Sequence, residues 1–135
     1  MDFPFYRQTD INSCGINCLQ MVAQFHKKEF FLSTQRSEDE IRRATNMGQL
    51  VSMAERLGFT TLAAKLTTNS LVEHITLPCI IHWNLNHYVV LYRIEVDRFY
   101  IADPALGFFE LSKKRFNRSW LAGNKKKGIV LVLSP

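Results

Sequence analysis

A cysteine acts as a nucleophile only as its thiolate, and a thiol pKa falls at the positive end of a helix and beside a histidine that can hold the proton. Cys14 has the first of these by position. A polar stretch, residues 7–13, runs into apolar residues at Ile16, Leu19, Val22, Ala23 and Phe25 with helical spacing. That pattern predicts a helix over about 14–26 with Asn12 or Ser13 as its N-cap. Gly15, directly after the cysteine, would let a substrate backbone approach closely, and the Cys14 amide can donate to a developing oxyanion. Gln8, six residues upstream, brings a side-chain amide that can be the second donor. Cys18 and Cys79 read instead as small buried apolar residues. Cys18 falls one helical turn after Cys14, which opens a metal pair or a redox disulfide as rival readings. A zinc site usually takes four ligands, however, and no further Cys or His lies at ligand spacing nearby.

Four histidines compete to be the base. His26 and His74 sit at or near predicted helix ends, where a surface histidine needs no further explanation. His82 and His87 flank one predicted turn, and spacing alone leaves both open. Asp103 ends the strand expected next to His87, and Pro104 after it holds that strand end extended. An acid there can accept the second imidazole N–H and fix the tautomer.

The elements that must position these groups divide into a helical half and a stranded half. Ser37 with Glu40 has the capping-box form and predicts a short helix over 41–44. Asn46 caps a further helix whose face carries Leu50, Val51, Ala54 and Leu57, with Gly58 as its left-handed exit. After residue 59 the texture changes to a strand over 60–64, a short helix over 69–75 and a break at Leu77-Pro78. Strands over 79–83, 87–95 and 99–103 follow, joined by turns at 84–86 and 96–98. Both faces of 88–94 are apolar, as in a central strand covered on one side by the helices. Gly107 reads as a turn, Ser112 as the cap of a helix to Trp120, and 129–133 as the strand that closes the sheet. Helices first and a mostly antiparallel sheet second make an α+β domain.

At 135 residues with 47% hydrophobic composition, the chain suits one well-filled core, so a single domain over 1–135 is expected. Three cysteines cannot all pair internally and have no framework spacing, which favours reduced thiols in a cytosolic setting. Met1-Asp2-Phe3-Pro4 lacks the start of a signal peptide, and no apolar run is long enough to cross a bilayer. The chain as given reads as soluble, and its end at Pro135, just after an apolar segment, reads as a cut from a longer protein. The net charge of +5 gathers late, in Lys113, Lys114, Arg115, Arg118 and the run Lys125, Lys126, Lys127. No aromatic residue interleaves that run, so it reads as a solvated face rather than a nucleic-acid site. A surface near anionic lipid or an acidic peptide fits the same charge.

Together the segments resemble the C39 peptidase family, the bacteriocin-processing domains found at the N-terminus of peptide-exporting ABC transporters. The resemblance rests on Gln8 ahead of Cys14-Gly15, Met47-Gly48 and the helix to Leu57-Gly58-Phe59, Leu77-Pro78 before Ile80-Ile81-His82-Trp83, Asn86-His87-Tyr88-Val89-Val90-Leu91, and Ala102-Asp103-Pro104-Ala105. It implies a papain-like fold with Cys14, His87 and Asp103 as triad and Gln8 completing the oxyanion hole, and so selects His87 over His82. It implies a cysteine endopeptidase that cuts a precursor peptide after a double glycine ending an amphipathic leader, on the cytosolic side of the bacterial inner membrane. It further implies fusion to the transmembrane and ATP-binding domains of a transporter, with no cofactor, no metal and no nucleic acid. Two positions depart from the family pattern: Ser13 precedes the cysteine where an acid is usual, and Ile16-Asn17 follow Gly15 where small residues are common. The competing reading is a catalytically silent module of the same fold that only binds the leader.

Overall fold

In the computed structural model of the chain, residues 3–9, 13–29, 46–122 and 125–135 are described. The helix expected over 41–44 lies outside them. Helix α1 spans Cys14–Phe25 and buries Ile16, Leu19, Val22 and Ala23, the residues whose spacing predicted it. It ends one residue early: His26 is its C-cap, and the chain leaves through Lys27 at φ +59°, a left-handed exit made without glycine. Ser13 holds the N-cap position without a side-chain capping bond, and Asn12 lies outside the described residues. Helix α2, Met47–Arg56, starts with a complete capping box: Asn46 Oδ1 accepts from the Gln49 N–H at 2.8 Å, and Gln49 Oε1 accepts from the Asn46 N–H at 2.9 Å. Gly58 follows it at φ +93°.

Strand β1 spans Thr60–Leu66 and helix α3 Thr68–His74, each within two residues of its predicted bounds. Strands β2, Cys79–Trp83, and β3, His87–Glu95, form the expected hairpin. Strand β4, Arg98–Asp103, starts one residue earlier than expected, because Arg98 already pairs with Glu95 across a two-residue turn. A further strand, β5, Gly107–Ser112, occupies a stretch read as a turn leading to a helix. Its side chains alternate between half-buried and exposed along a sheet edge, which leaves little apolar signal in sequence. Ser112 then caps helix α4, Lys113–Trp120, and strand β6 spans Gly128–Ser134.

The six strands run in the order β1-β6-β2-β3-β4-β5, every pairing antiparallel. The strand expected to close the sheet therefore inserts between β1 and β2, and the edges are β1 and β5. Helices cover both faces, not one. On the first face α1 and α2 pack over Ile80, Tyr88, Val90 and Leu131. On the second, Leu71 of α3 and Phe116 and Trp120 of α4 pack over Ile81, Val89, Leu91 and Ile101, with the Phe99 and Phe116 rings stacked at 4.4 Å. The two-sided apolar character of β3 thus reports two helical layers.

Candidate active site

Helix α1 lies across β3 and delivers its first residue to the start of that strand. Gly15 makes the approach possible. A Cβ there would meet the Leu50 and Tyr88 side chains at 3.3 Å, so the glycine serves close packing of α1 against α2 and β3. The result places Cys14 within hydrogen-bonding reach of His87. Ile16 points into the core at 2% exposure, so its bulk does not shape the cleft.

His87 Nε2 meets Asp103 Oδ1 at 2.7 Å. That carboxylate is 2% exposed at the end of β4, and Oδ1 also accepts from the Ala105 N–H at 2.8 Å, which fixes its direction. The turn that follows is clasped from the N-terminal segment: the Gln8 N–H donates to Pro104 O at 3.0 Å, and the Arg7 guanidinium to Ala105 O at 3.2 Å. With Nε2 engaged by Asp103, Nδ1 is the ring nitrogen left for Cys14.

The electrostatics follow from these contacts. Burial pushes the Cys14 thiol up, but hydrogen bonds from His87 and from the Tyr88 and Gly15 backbone, with the imidazolium charge, outweigh it and leave the pKa below the ordinary 9.0. Burial likewise disfavours protonated His87, yet its bonds to Asp103 and Cys14 and their charges carry it up to about 9. The lowered thiol and the raised imidazole both favour the pair of thiolate with imidazolium. The ion pair is the reactive form of a cysteine nucleophile.

Gln8 shares with His87 and Asp103 the wall of a cleft of about 430 Å³, completed by Trp83, Asn86 and Leu106. Gln8 Oε1 is buried and accepts no hydrogen bond from a described residue. Cys14, 8% exposed, is not itself part of that wall and borders the cleft through its bond to His87. Among the described residues, no three His, Cys, Asp or Glu side chains converge as metal ligands would.

The site thus brings together Cys14, His87, Asp103 and Gln8, the four residues singled out in the sequence. His82 stays out of it. On β2 its ring lies 5.3 Å from that of Tyr88, and burial, then the charge of Lys125, lowers its pKa. Cys18 and Cys79 are completely buried free thiols, and Cys14 is not bonded to Cys18. Sequence reading missed the walls supplied by Trp83, Asn86 and Leu106 and the donors from the Tyr88 and Ala105 backbone. The hairpin turn between the two histidines was the available signal for the first of these; backbone donors carry no signature in side-chain identity.

Comparison with known proteins identifies the family and the fold. The model of the Peptidase C39 family matches residues 2–133. The chain is 33% identical over 116 residues to the probable microcin-H47 secretion/processing ATP-binding protein of Escherichia coli, covering 85% of this chain and 16% of that protein. It is 31% identical over 116 residues to the colicin V secretion/processing ATP-binding protein of Escherichia coli, with the same two coverages of 85% and 16%. The chain thus spans only 16% of the length of these curated relatives. Among solved structures, a double glycine motif protease from an AMS/PCAT transporter in complex with the leader peptide superposes with a TM-score of 0.85 at 31% identity, over 99% of this chain and 92% of that one. The peptidase domain of Streptococcus ComA, a bi-functional ABC transporter of a quorum sensing pathway, gives 0.83 at 26% identity over 99% of both chains. The α+β, papain-like reading of the sequence is borne out by these neighbours.

Proposed function

This chain belongs to the Peptidase C39 family, and from that premise we propose that it is a cysteine endopeptidase with Cys14 as nucleophile, His87 as general base and acid, Asp103 as the residue that orients His87, and Gln8 as an oxyanion donor. The observation that carries the reading is the continuous connection from Cys14 through His87 to a buried Asp103. The Cys14 thiolate attacks the scissile carbonyl carbon, and the oxyanion is held by the Cys14 backbone N–H and the Gln8 side-chain amide. Collapse of this intermediate breaks the C–N bond as the imidazolium gives its Nδ1 proton to the leaving amine, leaving a thioester and neutral His87. Water attacks the thioester, His87 takes one of its protons, and collapse breaks the C–S bond, reforming the ion pair and releasing the carboxylic acid, which gives its proton to solvent. Asp103 holds Nε2–H through both steps and keeps Nδ1 aimed at the sulfur.

The substrate is a precursor peptide cut after a double glycine. Trp83 and Leu106 line the cleft next to His87, where the two residues before the cut bond would lie. The relatives are secretion/processing ATP-binding proteins, and a structural neighbour was solved with a leader peptide. On that basis the chain is the peptidase part of an ABC transporter, works on the cytoplasmic side of the inner membrane, and removes the leader before export. No described helix is long and apolar enough to cross a membrane.

The test is incubation with a synthetic precursor whose amphipathic leader ends in Gly-Gly, with Cys14→Ala in parallel and products read by mass spectrometry. Cleavage after the second glycine by the parent alone is the expected result. Binding of the peptide by both proteins with cleavage by neither would overturn the peptidase reading in favour of a leader-binding module.

A further inference from the structure

The turn between β2 and β3 borders two cavities. Trp83, Asn84, Asn86 and His87 face the catalytic cleft, whereas His82 and Leu85 help to wall a second cavity of about 400 Å³. Four lysines converge on this second space: Lys65 from β1 and Lys125, Lys126 and Lys127 from the segment leading into β6. In sequence the last three read as a solvated face. All three are exposed, as that reading expects, and the fold also sets them around one open concavity with the exposed Lys65, about sixty positions away in the chain.

The cavity wall contains no acidic side chain, and none of the ion pairs among the described residues includes any of these lysines. Like charges gathered around one open concavity repel, and an anion is the partner that turns the repulsion into attraction. His82 reports the same uncompensated field: burial and then the charge of Lys125 both disfavour its protonated form. The floor is rigid and apolar. The Trp120 indole N–H is spent on Ile129 O at 3.0 Å, and Gly128 lies so close to that ring that any Cβ would collide with it. Convergent cationic side chains beside the apolar Leu85, Trp120, Gly128 and Ile129, around a volume of this size, can hold a small anionic molecule.

We propose that this cavity binds a small phosphate-bearing ligand carrying two or more negative charges. Lysine ammonium groups suit phosphate as point charges, whereas planar carboxylates are matched by the guanidinium fork, which is absent from this wall. The ligand is either a free phosphate compound or the headgroup of an anionic lipid. The site stands independently of the peptidase reading, since none of the four lysines lines the catalytic cleft.

The test is a ¹H–¹⁵N correlation titration of the whole chain with inorganic pyrophosphate at physiological salt, following the Gly128 amide and the Trp120 indole N–H. Saturable shifts centred on those two signals are expected. The double variant Lys126→Gln, Lys127→Gln should keep the dispersed spectrum of the folded protein and bind roughly tenfold more weakly or worse. Vesicles of phosphatidylglycerol, with phosphatidylcholine as control, separate the sources: competition between pyrophosphate and the anionic vesicles identifies a lipid headgroup, and pyrophosphate binding without vesicle binding identifies a free phosphate compound. Absence of saturable shifts overturns the proposal, also when anionic vesicles retain the protein through bulk charge alone. Equal binding by the double variant overturns it as well.

Discussion

Cys14 and Cys18 lie one turn apart on the same helix and both are buried, as His82 and His87 lie at the two ends of one hairpin turn, yet each pair responds to its surroundings in opposite directions. At Cys18, burial and then the charges of Cys14 and Asp103 push the thiol well above its ordinary value. At Cys14, the hydrogen bonds from His87, Tyr88 and Gly15 reverse the same burial effect. At His82, burial and Lys125 favour the neutral ring; at His87, Asp103 and Cys14 turn a similar penalty into a pKa of about 9. Burial alone therefore makes a thiol inert and an imidazole neutral. What separates the reactive end of the molecule from the interior behind it is a set of partners that all favour the charged forms.

The largest contrast should come from replacing each member of the cysteine pair in turn. Cys14→Ala should lower turnover of a double-glycine precursor by roughly 10⁴-fold or more. Cys18→Ala should leave turnover within a few-fold and cost about 1–2 kcal/mol of stability through the small cavity it opens. Equal losses of turnover in the two variants would break the comparison. Next, Asp103→Asn keeps an oxygen to accept from Ala105 but removes the charge that supports imidazolium and fixes its tautomer. Its kcat should fall by between about 10²- and 10⁴-fold with the melting temperature little changed. Gln8→Ala removes one of the two proposed oxyanion donors, so kcat should drop by about 10²- to 10³-fold while KM holds. A change in KM alone would assign Gln8 to substrate binding.

The smallest effect lies at the opposite end of β3, in its turn to β4. Val96 is fully exposed at φ +53°, a conformation costly for a β-branched residue. Val96→Gly should stabilise the domain by up to about 1 kcal/mol in thermal unfolding, because relief of strain exceeds the added freedom of the unfolded chain. Turnover should not change, since β3 reaches the site through its other end, at His87.

Much of this site was legible before the fold was known, because each residue carries a local reason to be where it is. The apolar spacing after Cys14 places it at a helix start, Asn46 and Gly58 bracket α2, and the turn at 84–86 sets His87 at the head of a strand. What spacing left open was the choice between His82 and His87: both flank the turn, and only packing of α1 over β3 decides which meets Cys14. That choice came from family resemblance. The edge strand β5 was hidden by its half-polar alternation, and the second helical layer by its distance along the chain. The packing role of Gly15 was missed for a similar reason, since the side chains of Leu50 and Tyr88 that favour its smallness come from elements far away in sequence.

The central claim, that partners rather than burial set the reactivity of Cys14, is tested most directly by site-resolved alkylation against pH with peptide mass spectrometry, on the parent and on His87→Ala. The parent should modify Cys14 far faster than Cys18 or Cys79 at neutral pH, with a midpoint clearly below 9.0. In His87→Ala that midpoint should move upward, because burial then acts with fewer opposing partners. A Cys14 midpoint near or above 9.0 in the parent, unmoved by loss of His87, would contradict the account.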